Sequence, residues 1–290
     1  MAELAFVDTH VHFWDLNHPD TTYAWLTPDF VHPILGDIDA IKLPLFDGAA
    51  YRAEVEGANV TKAVHVQAAL GSKDPVDETI WLQEQFEASG FPHAIVADAN
   101  LSAPDVERTL ERHAEASPLL RGIRDFGEGD YLVSDDFARG YAKLGERGLV
   151  CDLDCFWENM GKARDLAQRH PQTVMVLDHA GFPLERTDEY FESWKRGITT
   201  LAEADSAVVK ISGLAMGDND WTVDSIRPWV LHCIEAFGVE RSFFGTNWPV
   251  DKLYSPYAQV VDAYAEIVAD FSPDEQVALF SANAERIYRI

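Results

Sequence analysis

Two histidines separated by a single residue lie near the start of the chain, in the segment Phe6-Val7-Asp8-Thr9-His10-Val11-His12. The apolar residues before them predict a β-strand, in which alternate side chains share one face. We therefore expect His10 and His12 to point the same way at the strand end, with Val11 turned into packing. Two imidazoles so placed can ligate one metal ion, zinc above all, or hold one anionic oxygen. The alternative is two ordinary polar residues at a strand end.

A repeated pattern along the chain predicts the framework that positions these histidines. Runs of β-branched residues alternate with amphipathic segments, which is typical of βα units and a parallel sheet. With the first strand, eight strands and about eight helices are expected. That number favours a closed (β/α)8 TIM barrel over an open sheet of about five or six strands. The later strands are expected at 63–67, 94–98, 120–124, 149–155, 174–177, 208–212 and 242–245, and the longer helices at 77–89, 104–116, 135–147, 159–170 and 223–237.

The length and composition of the chain fit one globular domain that binds a small molecule. The 290 residues suit a single barrel of about 250 residues with insertions. One such insertion is expected at 15–45, a stretch rich in Pro, Asp and aromatic residues, because a long loop without periodic pattern is usually functional. With 49 acidic and 23 basic residues the net charge is −26, which disfavours nucleic acid and anionic membranes as partners.

The sequence favours a cytoplasmic protein. It holds three cysteines, an odd number that does not suit a framework of disulfides. Its start lacks the basic and then apolar pattern of a secretory signal, and no apolar run approaches the length of a membrane span. The number of subunits is left open.

Polar residues end every predicted strand, and barrel enzymes carry their active sites at the C-terminal ends of the strands. Strands buried under helices tolerate polar side chains badly unless these meet partners or ligands. We therefore expect a functional site at this end of the barrel. The strand-end residues are His10 and His12, His65 and Gln67, Asp98, Arg124, Asp152 and Asp154, Asp178 and His179, Lys210 and Ser212, and Asn247 with Asp251 just beyond.

Two of these residues are basic and are candidates for contact with the substrate. Arg124 carries a planar guanidinium that suits a substrate carboxylate; the alternative is an ion pair with Asp125 or Asp152. Lys210 lies on an otherwise apolar strand, where burial is costly without a partner. It is expected either at the site or paired with an acidic neighbour.

The sequence also suggests positions for three further residues. Gln67 shares its face with His65, so both are expected to line the barrel mouth. Trp25, in the 15–45 stretch, is expected either to contribute to a small-molecule pocket or to cover the rim of the barrel. His113 lies within a predicted helix and is expected at the surface.

Six short segments, in this order, are spread along nearly the whole length of the chain. They are Asp8-Thr9-His10-Val11-His12-Phe13-Trp14-Asp15, Arg121-Gly122-Ile123-Arg124, Leu177-Asp178-His179-Ala180-Gly181, Val209-Lys210-Ile211-Ser212-Gly213-Leu214, Phe244-Gly245-Thr246-Asn247-Trp248-Pro249 and Asn283-Ala284-Glu285-Arg286-Ile287-Tyr288. Together they resemble the amidohydrolase superfamily, in the branch of sugar-acid lactonases and 2-pyrone-4,6-dicarboxylate lactonase. The resemblance implies one TIM-barrel domain over residues 1–290 that opens a small carboxylated or polyhydroxylated lactone. It also implies His10, His12 and His179 as metal ligands or oxyanion-side catalytic groups, with one divalent metal, zinc first, or none.

One position departs from the family pattern. The eighth strand of the family usually ends in an aspartate that activates water, whereas this chain has Asn247, and an amide cannot accept a proton. Asp251 is the first candidate to replace that base, and Asp178 is the second. Asn247 and the adjacent Trp248 are then expected to contact the substrate. The alternatives are a non-hydrolytic lyase, isomerase or decarboxylase, or a barrel that binds a ligand without catalysis.

Overall fold

Eight of the ten strands form one parallel sheet, in which neighbouring strands follow the chain order. The computed structural model describes residues 4–127 and 129–290. The strands are β1 (Phe6–Val11), β2 (Trp14–Asp15), β3 (Leu45–Phe46), β4 (Val60–Val66), β5 (Ala94–Asp98), β6 (Leu120–Arg124), β7 (Val150–Leu153), β8 (Met175–Leu177), β9 (Ala207–Ile211) and β10 (Ser242–Phe244). Strands β2 and β3 form a separate antiparallel pair.

The sheet curls until its first and last strands meet. Val11 at the end of β1 forms a parallel bridge with Trp248, just past β10. The amide of His12 donates to the carbonyl of Trp248 at 2.8 Å. The predicted (β/α)8 barrel is confirmed.

Helices follow the barrel strands and cover the outside of the sheet. They are α1 (Gly48–Glu54), α2 (Val76–Ser89), α3 (Val106–Ala116), α4 (Asp135–Glu146), α5 (Met160–Arg169), α6 (Asp188–Ala202), α7 (Val223–Phe237), α8 (Tyr257–Ile267), α9 (Pro273–Val277) and α10 (Asn283–Tyr288). Several begin at the side chains that cap helices best: Ser134 accepts from the amide of Phe137, and Thr222 forms a capping box with Ser225. Within the described ranges, no helix combines the length and the apolar character that a membrane crossing requires.

A buried carboxylate on β1 ties the two ends of the barrel together. Asp8 accepts hydrogen bonds from the amide of Thr246 at 2.9 Å and from its hydroxyl at 2.6 Å. The phenols of Tyr51 and Tyr257 donate to the same carboxylate at 3.0 and 2.9 Å. These bonds join β1 to the segment after β10 and to helices α1 and α8, and so fix the strand that carries the two leading histidines.

The stretch between β2 and β3 folds back over the mouth of the barrel. Pairing of Trp14 with Phe46 closes its base. The indole of Trp14 donates to the carbonyl of Leu43 at 2.8 Å, and that of Trp25 donates to the carbonyl of Ala68 at 2.8 Å. Backbone carbonyls therefore hold one indole at the base of the loop and one within it.

Candidate active site

A cavity of 610 Å³ lies at the C-terminal ends of the barrel strands. Six polar side chains from six different strand ends line its inner part, and we call these six residues the floor. They are His12, Gln67, Arg124, Asp154, His179 and Asn247. Apolar side chains from the 15–45 stretch and from later loops form the outer part, which we call the wall: Trp25, Phe30, Leu35, Phe126, Phe156 and Phe182.

Three imidazoles gather at the base of the cavity. The ring centroid of His10 lies 4.9 Å from that of His12 and 4.3 Å from that of His179. His12 and His179 line the cavity, whereas His10 is fully buried beneath them. The histidines of β1 and of the segment after β8 therefore converge, at two different depths.

Hydrogen bonds on the far side of these rings fix their orientation. Nδ1 of His12 lies 2.8 Å from the carbonyl oxygen of Val66, which can only accept. Nδ1 of His12 therefore carries the proton, and its Nε2 presents a lone pair to the cavity. Nδ1 of His179 lies 3.0 Å from the hydroxyl of Ser212, which leaves Nε2 of His179 toward the cavity.

All three imidazoles are neutral at neutral pH. Burial lowers the pKa of His10 and of His12 well below the ordinary value. Burial also lowers the pKa of His179, to about 3, against the opposing effect of Asp178. The rings can hold a proton at one nitrogen and a lone pair at the other, but they do not act as cations.

Two residues of the floor have strained backbones. His179 and Asn247 have φ angles of 53° and 60°, in the left-handed region that non-glycine residues seldom adopt. Asparagine tolerates that region better than most residues. Between them lies Gly213, with φ of 61°, where an added Cβ would lie 2.6 Å from Nδ1 of His179 and 3.2 Å from Nδ2 of Asn247. The close approach of the backbone at Gly213 therefore makes room for both side chains.

A buried lysine neutralises two of the carboxylates beneath the floor. Lys210 is fully buried, and its ammonium lies 2.5 Å from Asp152 and 2.9 Å from Asp178. Burial alone would raise the pKa of Asp178, but Lys210 and then His10 outweigh it and hold that pKa well below its ordinary range. Lys210 thus has the acidic neighbours that the sequence suggested, and it is not among the residues that line the cavity.

Arg124 carries the positive charge of the floor. Its Nε donates to the side-chain oxygen of Gln67 at 3.1 Å, and its Nη2 to the carbonyl of Gln67 at 2.8 Å. Its Nη1 lies 3.8 Å from both Asp154 and Asp178. The guanidinium carbon also lies 4.6 Å from the ring centroid of Phe126. Contacts with Gln67 and Phe126 therefore fix the guanidinium of Arg124. Its Nη1 lies near the two carboxylates of Asp154 and Asp178.

The two acidic partners considered for Arg124 from the sequence have other contacts. Asp125 accepts from the backbone amide of Leu101 at 2.7 Å, and Asp152 pairs with Lys210. That expectation was wrong, because the side chains of Asp154 and Asp178 reach Arg124 from the next two strands.

The first candidate for the base, Asp251, lies behind Asn247 rather than in the cavity. It is 2% exposed, and its Oδ1 accepts from Nδ2 of Asn247 at 2.9 Å. Burial raises the pKa of Asp251 to about 8. Asp251 is thus placed to position the amide of Asn247, without touching a molecule in the cavity.

The predicted site residues fall into two groups. His12, His179, Arg124, Gln67, Asn247 and Trp25 line the cavity. The others lie behind its lining within the described ranges: His10, Asp251, Lys210 and Trp248. Asp178 is fully buried as well. The geometry gives no support for contact between a substrate and any residue of this second group.

Asp154 is the floor residue to which the sequence assigned no role. In the described part of the chain its buried Oδ1 has no hydrogen-bond partner. Burial raises its pKa to about 7; Arg124 opposes the rise and Asp178 adds to it. The alternation Asp152-Leu153-Asp154 was the available signal, because it places both carboxylates on one face of β7, one above the other.

The imidazoles match a metal site in type and orientation but not in arrangement. Nε2 of His10 is buried and has no hydrogen-bond partner among residues 4–127 and 129–290, and the other two rings are held through Nδ1, as metal-ligating histidines usually are. However, those residues include no group of three or more His, Cys, Asp or Glu side chains arranged to hold a metal ion. As they stand these side chains do not form a metal site.

Comparisons with known proteins identify the family to which the chain belongs. The family described as Amidohydrolase matches residues 7–290. The chain is 37% identical to the uncharacterized protein y4mH of Sinorhizobium fredii over the whole of both chains. It is 30% identical to L-fucono-1,5-lactonase of Burkholderia multivorans over 98% of this chain and 96% of that protein. A crystal structure of an amidohydrolase from B. multivorans with bound zinc superimposes with a TM-score of 0.84, at 28% identity and 99% coverage of each chain.

Proposed function

Because this chain belongs to the amidohydrolase family, we propose that it is a hydrolase that opens the ester ring of a small lactone. The observation that carries the proposal is the floor itself. One fixed guanidinium, two neutral imidazoles and one carboxylate with a raised pKa face the same cavity. Ester hydrolysis needs these functions together: a group that stabilises negative charge and a group that accepts a proton from water.

Arg124 polarises the ester carbonyl, and Nε2 of His179 donates a second hydrogen bond to it when Nδ1 accepts from the hydroxyl of Ser212. Attack by water places negative charge on the carbonyl oxygen, and the guanidinium of Arg124 is the positive group of the floor. The hydrogen bonds to Gln67 hold that guanidinium before the substrate arrives, so little reorganisation is needed during the reaction. His12 presents a lone pair at Nε2, which suits acceptance of a hydrogen bond from water or from a substrate hydroxyl.

Asp154 accepts the proton of the attacking water and returns it to the ring oxygen as the C–O bond of the ring breaks. Among residues 4–127 and 129–290, three carboxylates line the cavity, but Asp125 is engaged by a backbone amide and Asp130 pairs with Lys162. Asp154 belongs to the floor, and a pKa near 7 suits a general base at neutral pH. Asp251 acts through Asn247 as a positioning residue. The proposed general base therefore lies at the end of β7, whereas the family pattern places it in the segment after β10.

The charges at the floor favour an uncharged, hydroxylated lactone over a carboxylated one. The two cations Arg124 and Lys210 already face three carboxylates: Asp152, Asp154 and Asp178. A substrate carboxylate would compete with Asp154 for Arg124, inside a protein of net charge −26. The relative from B. multivorans is named for the lactone of a sugar acid, which supports the same choice.

Metal binding is a separate proposal. The side chains that could serve as ligands of a single divalent ion, zinc first, are His10, His12 and His179, although their arrangement in this structure does not form a metal site. The neighbouring structure from B. multivorans with bound zinc supports testing it. None of the steps above depends on it.

The test is turnover of a panel of sugar-acid γ- and δ-lactones, followed by proton release. We expect hydrolysis with solvent ¹⁸O in the product, and a fall in kcat/KM of about a hundredfold or more for Arg124→Gln. Arg112→Gln, at a surface arginine paired with Asp74, is the matched control. The proposal is refuted if no lactone of the panel is hydrolysed at any pH tested, with or without added zinc.

The second candidate function is a non-hydrolytic reaction on the same floor, favoured by Asn247 in place of the family aspartate. It predicts a product without solvent ¹⁸O. Incorporation of the label rules it out.

A further inference from the structure

The two parts of the cavity differ in chemistry. The floor offers charged and hydrogen-bonding groups, whereas the wall presents five aromatic rings and one leucine from separate loops. These side chains are Trp25, Phe30, Leu35, Phe126, Phe156 and Phe182. A lactone ring at the floor would leave most of these surfaces uncovered in a cavity of 610 Å³, equal to roughly 20 water molecules at about 30 Å³ each.

Two aromatic side chains of the wall are exposed to an unusual degree. Phe126 and Phe156 are 43% and 40% exposed, among the most exposed large apolar residues in the described part of the chain. Phe156 is held against Phe182, with ring centroids 5.3 Å apart. Exposed aromatic surface that converges on a pocket gains free energy when a ligand removes it from water.

Two polar groups near the wall already have partners within the chain. Asp130 pairs with Lys162. Nδ1 of His32 accepts from the backbone amides of Ile34 and Leu35, both at 3.2 Å. Sugar hydroxyls placed against the rings would lose their bonds to water without replacement, which is costly. The wall therefore selects for apolar groups.

We propose that the substrate lactone carries an apolar substituent, an aryl ring or a branched alkyl group, that lies against Phe126, Phe156 and Phe182 while the lactone ring lies on the floor. This inference rests on the proposed lactone hydrolysis and adds the class of substrate. The preferred substrate then combines a lactone ring at the floor with an apolar group that simple sugar lactones lack.

The test compares two δ-lactones that differ only in the group beside the ring oxygen, methyl in one and phenyl in the other. We expect kcat/KM for the phenyl lactone to exceed that for the methyl lactone by about tenfold or more, because added apolar groups in such pockets have effects of this size. Phe156→Ala should reduce this ratio several-fold, since Phe156 contacts the substituent and not the floor. Ile80→Ala, at a residue of α2 that is 46% exposed and outside the cavity, is the control and should leave the ratio unchanged.

The outcomes separate the two proposals. If both lactones are hydrolysed and the methyl compound is the equal or better substrate, the apolar substituent is refuted and lactone hydrolysis stands. An unchanged ratio in Phe156→Ala refutes the assigned position of the substituent. If neither these lactones nor the sugar-acid panel are hydrolysed, the proposed function fails, and this inference with it.

Discussion

Replacing Asp154 with asparagine should remove activity and add stability at the same time. The change keeps the size of the side chain and removes only its ability to accept a proton. General bases typically contribute about 10²- to 10⁴-fold. We expect kcat/KM for lactone hydrolysis at about pH 8 to fall by that factor, which corresponds to about 3 to 5 kcal/mol of lost transition-state stabilisation.

The effect on stability follows from the direction of the pKa shift. Burial raises the pKa of Asp154 from 3.8 to about 7, despite Arg124, so desolvation outweighs the attraction of the guanidinium. The folded state therefore binds the proton more tightly than the unfolded state. Ionising Asp154 lowers the free energy of unfolding progressively between about pH 4 and pH 7, and the whole cost is present above that window. A difference of about three pKa units corresponds to at most about 4 kcal/mol, which Asp154→Asn should partly recover at pH 8.

Two measurements check this reasoning. The pH profile of kcat/KM for the wild type should rise through an apparent pKa of about 7, since the protonated carboxyl cannot act as a base. Urea unfolding at about pH 8 should show the variant more stable than the wild type. Asp130→Asn, which also lines the cavity but removes only an exposed ion pair, should leave the rate nearly unchanged. A variant at Asp154 that keeps its rate within threefold, or a flat wild-type profile, would refute the assignment.

Three further expectations follow from neighbouring contacts. Gly213→Ala should lower kcat/KM at least tenfold and destabilise the fold by about 1 kcal/mol or more, because its Cβ would meet His179 at 2.6 Å; activity and thermal unfolding measured together check both effects. Lys210→Met should reduce the free energy of unfolding by about 3 to 5 kcal/mol, since Asp152 and Asp178 would lose their buried partner; urea unfolding at neutral pH measures it, and a loss below about 1 kcal/mol would contradict the reasoning. Dialysis against EDTA should leave turnover intact, because the proposed steps use side chains alone; zinc-dependent recovery after a loss would overturn this expectation, with elemental analysis as the companion measurement.

The period of the apolar residues in the sequence was enough to predict the fold. Helix α7 and strands β5 and β6 begin and end at the residues expected, and the other long helices agree within about two residues. Strands and helices have different periods, so the alternation of the two patterns marks the successive units. The barrel follows from the number of strands.

Depth within the barrel could not be predicted from the sequence. Alternation places His10 and His12 on one face but does not say that His10 lies beneath His12, or that Lys210 lies below the cavity. These depths depend on how the strands are staggered around the barrel, which no single strand encodes.

One error could have been avoided. His113 was expected at the surface, but it is fully buried, with its ring nitrogens 2.8 Å from the hydroxyl of Thr79 and 3.0 Å from the carbonyl of Asp98. Its spacing of seven from Val106 and three from Leu110 places it on the apolar face of α3.

The carboxylate of Asp8 has a consequence for how the chain matures on the ribosome. Its partners Thr246 and Tyr257 lie 238 and 249 positions later, so they leave the ribosome long after Asp8 and its partner Tyr51. A nascent chain stopped before Thr246 would lack both late partners and would leave the edge of β1 unpaired. Half-barrels cut from this protein are therefore poor starting points for fragment recombination, because the cut separates Asp8 from Thr246 and Tyr257.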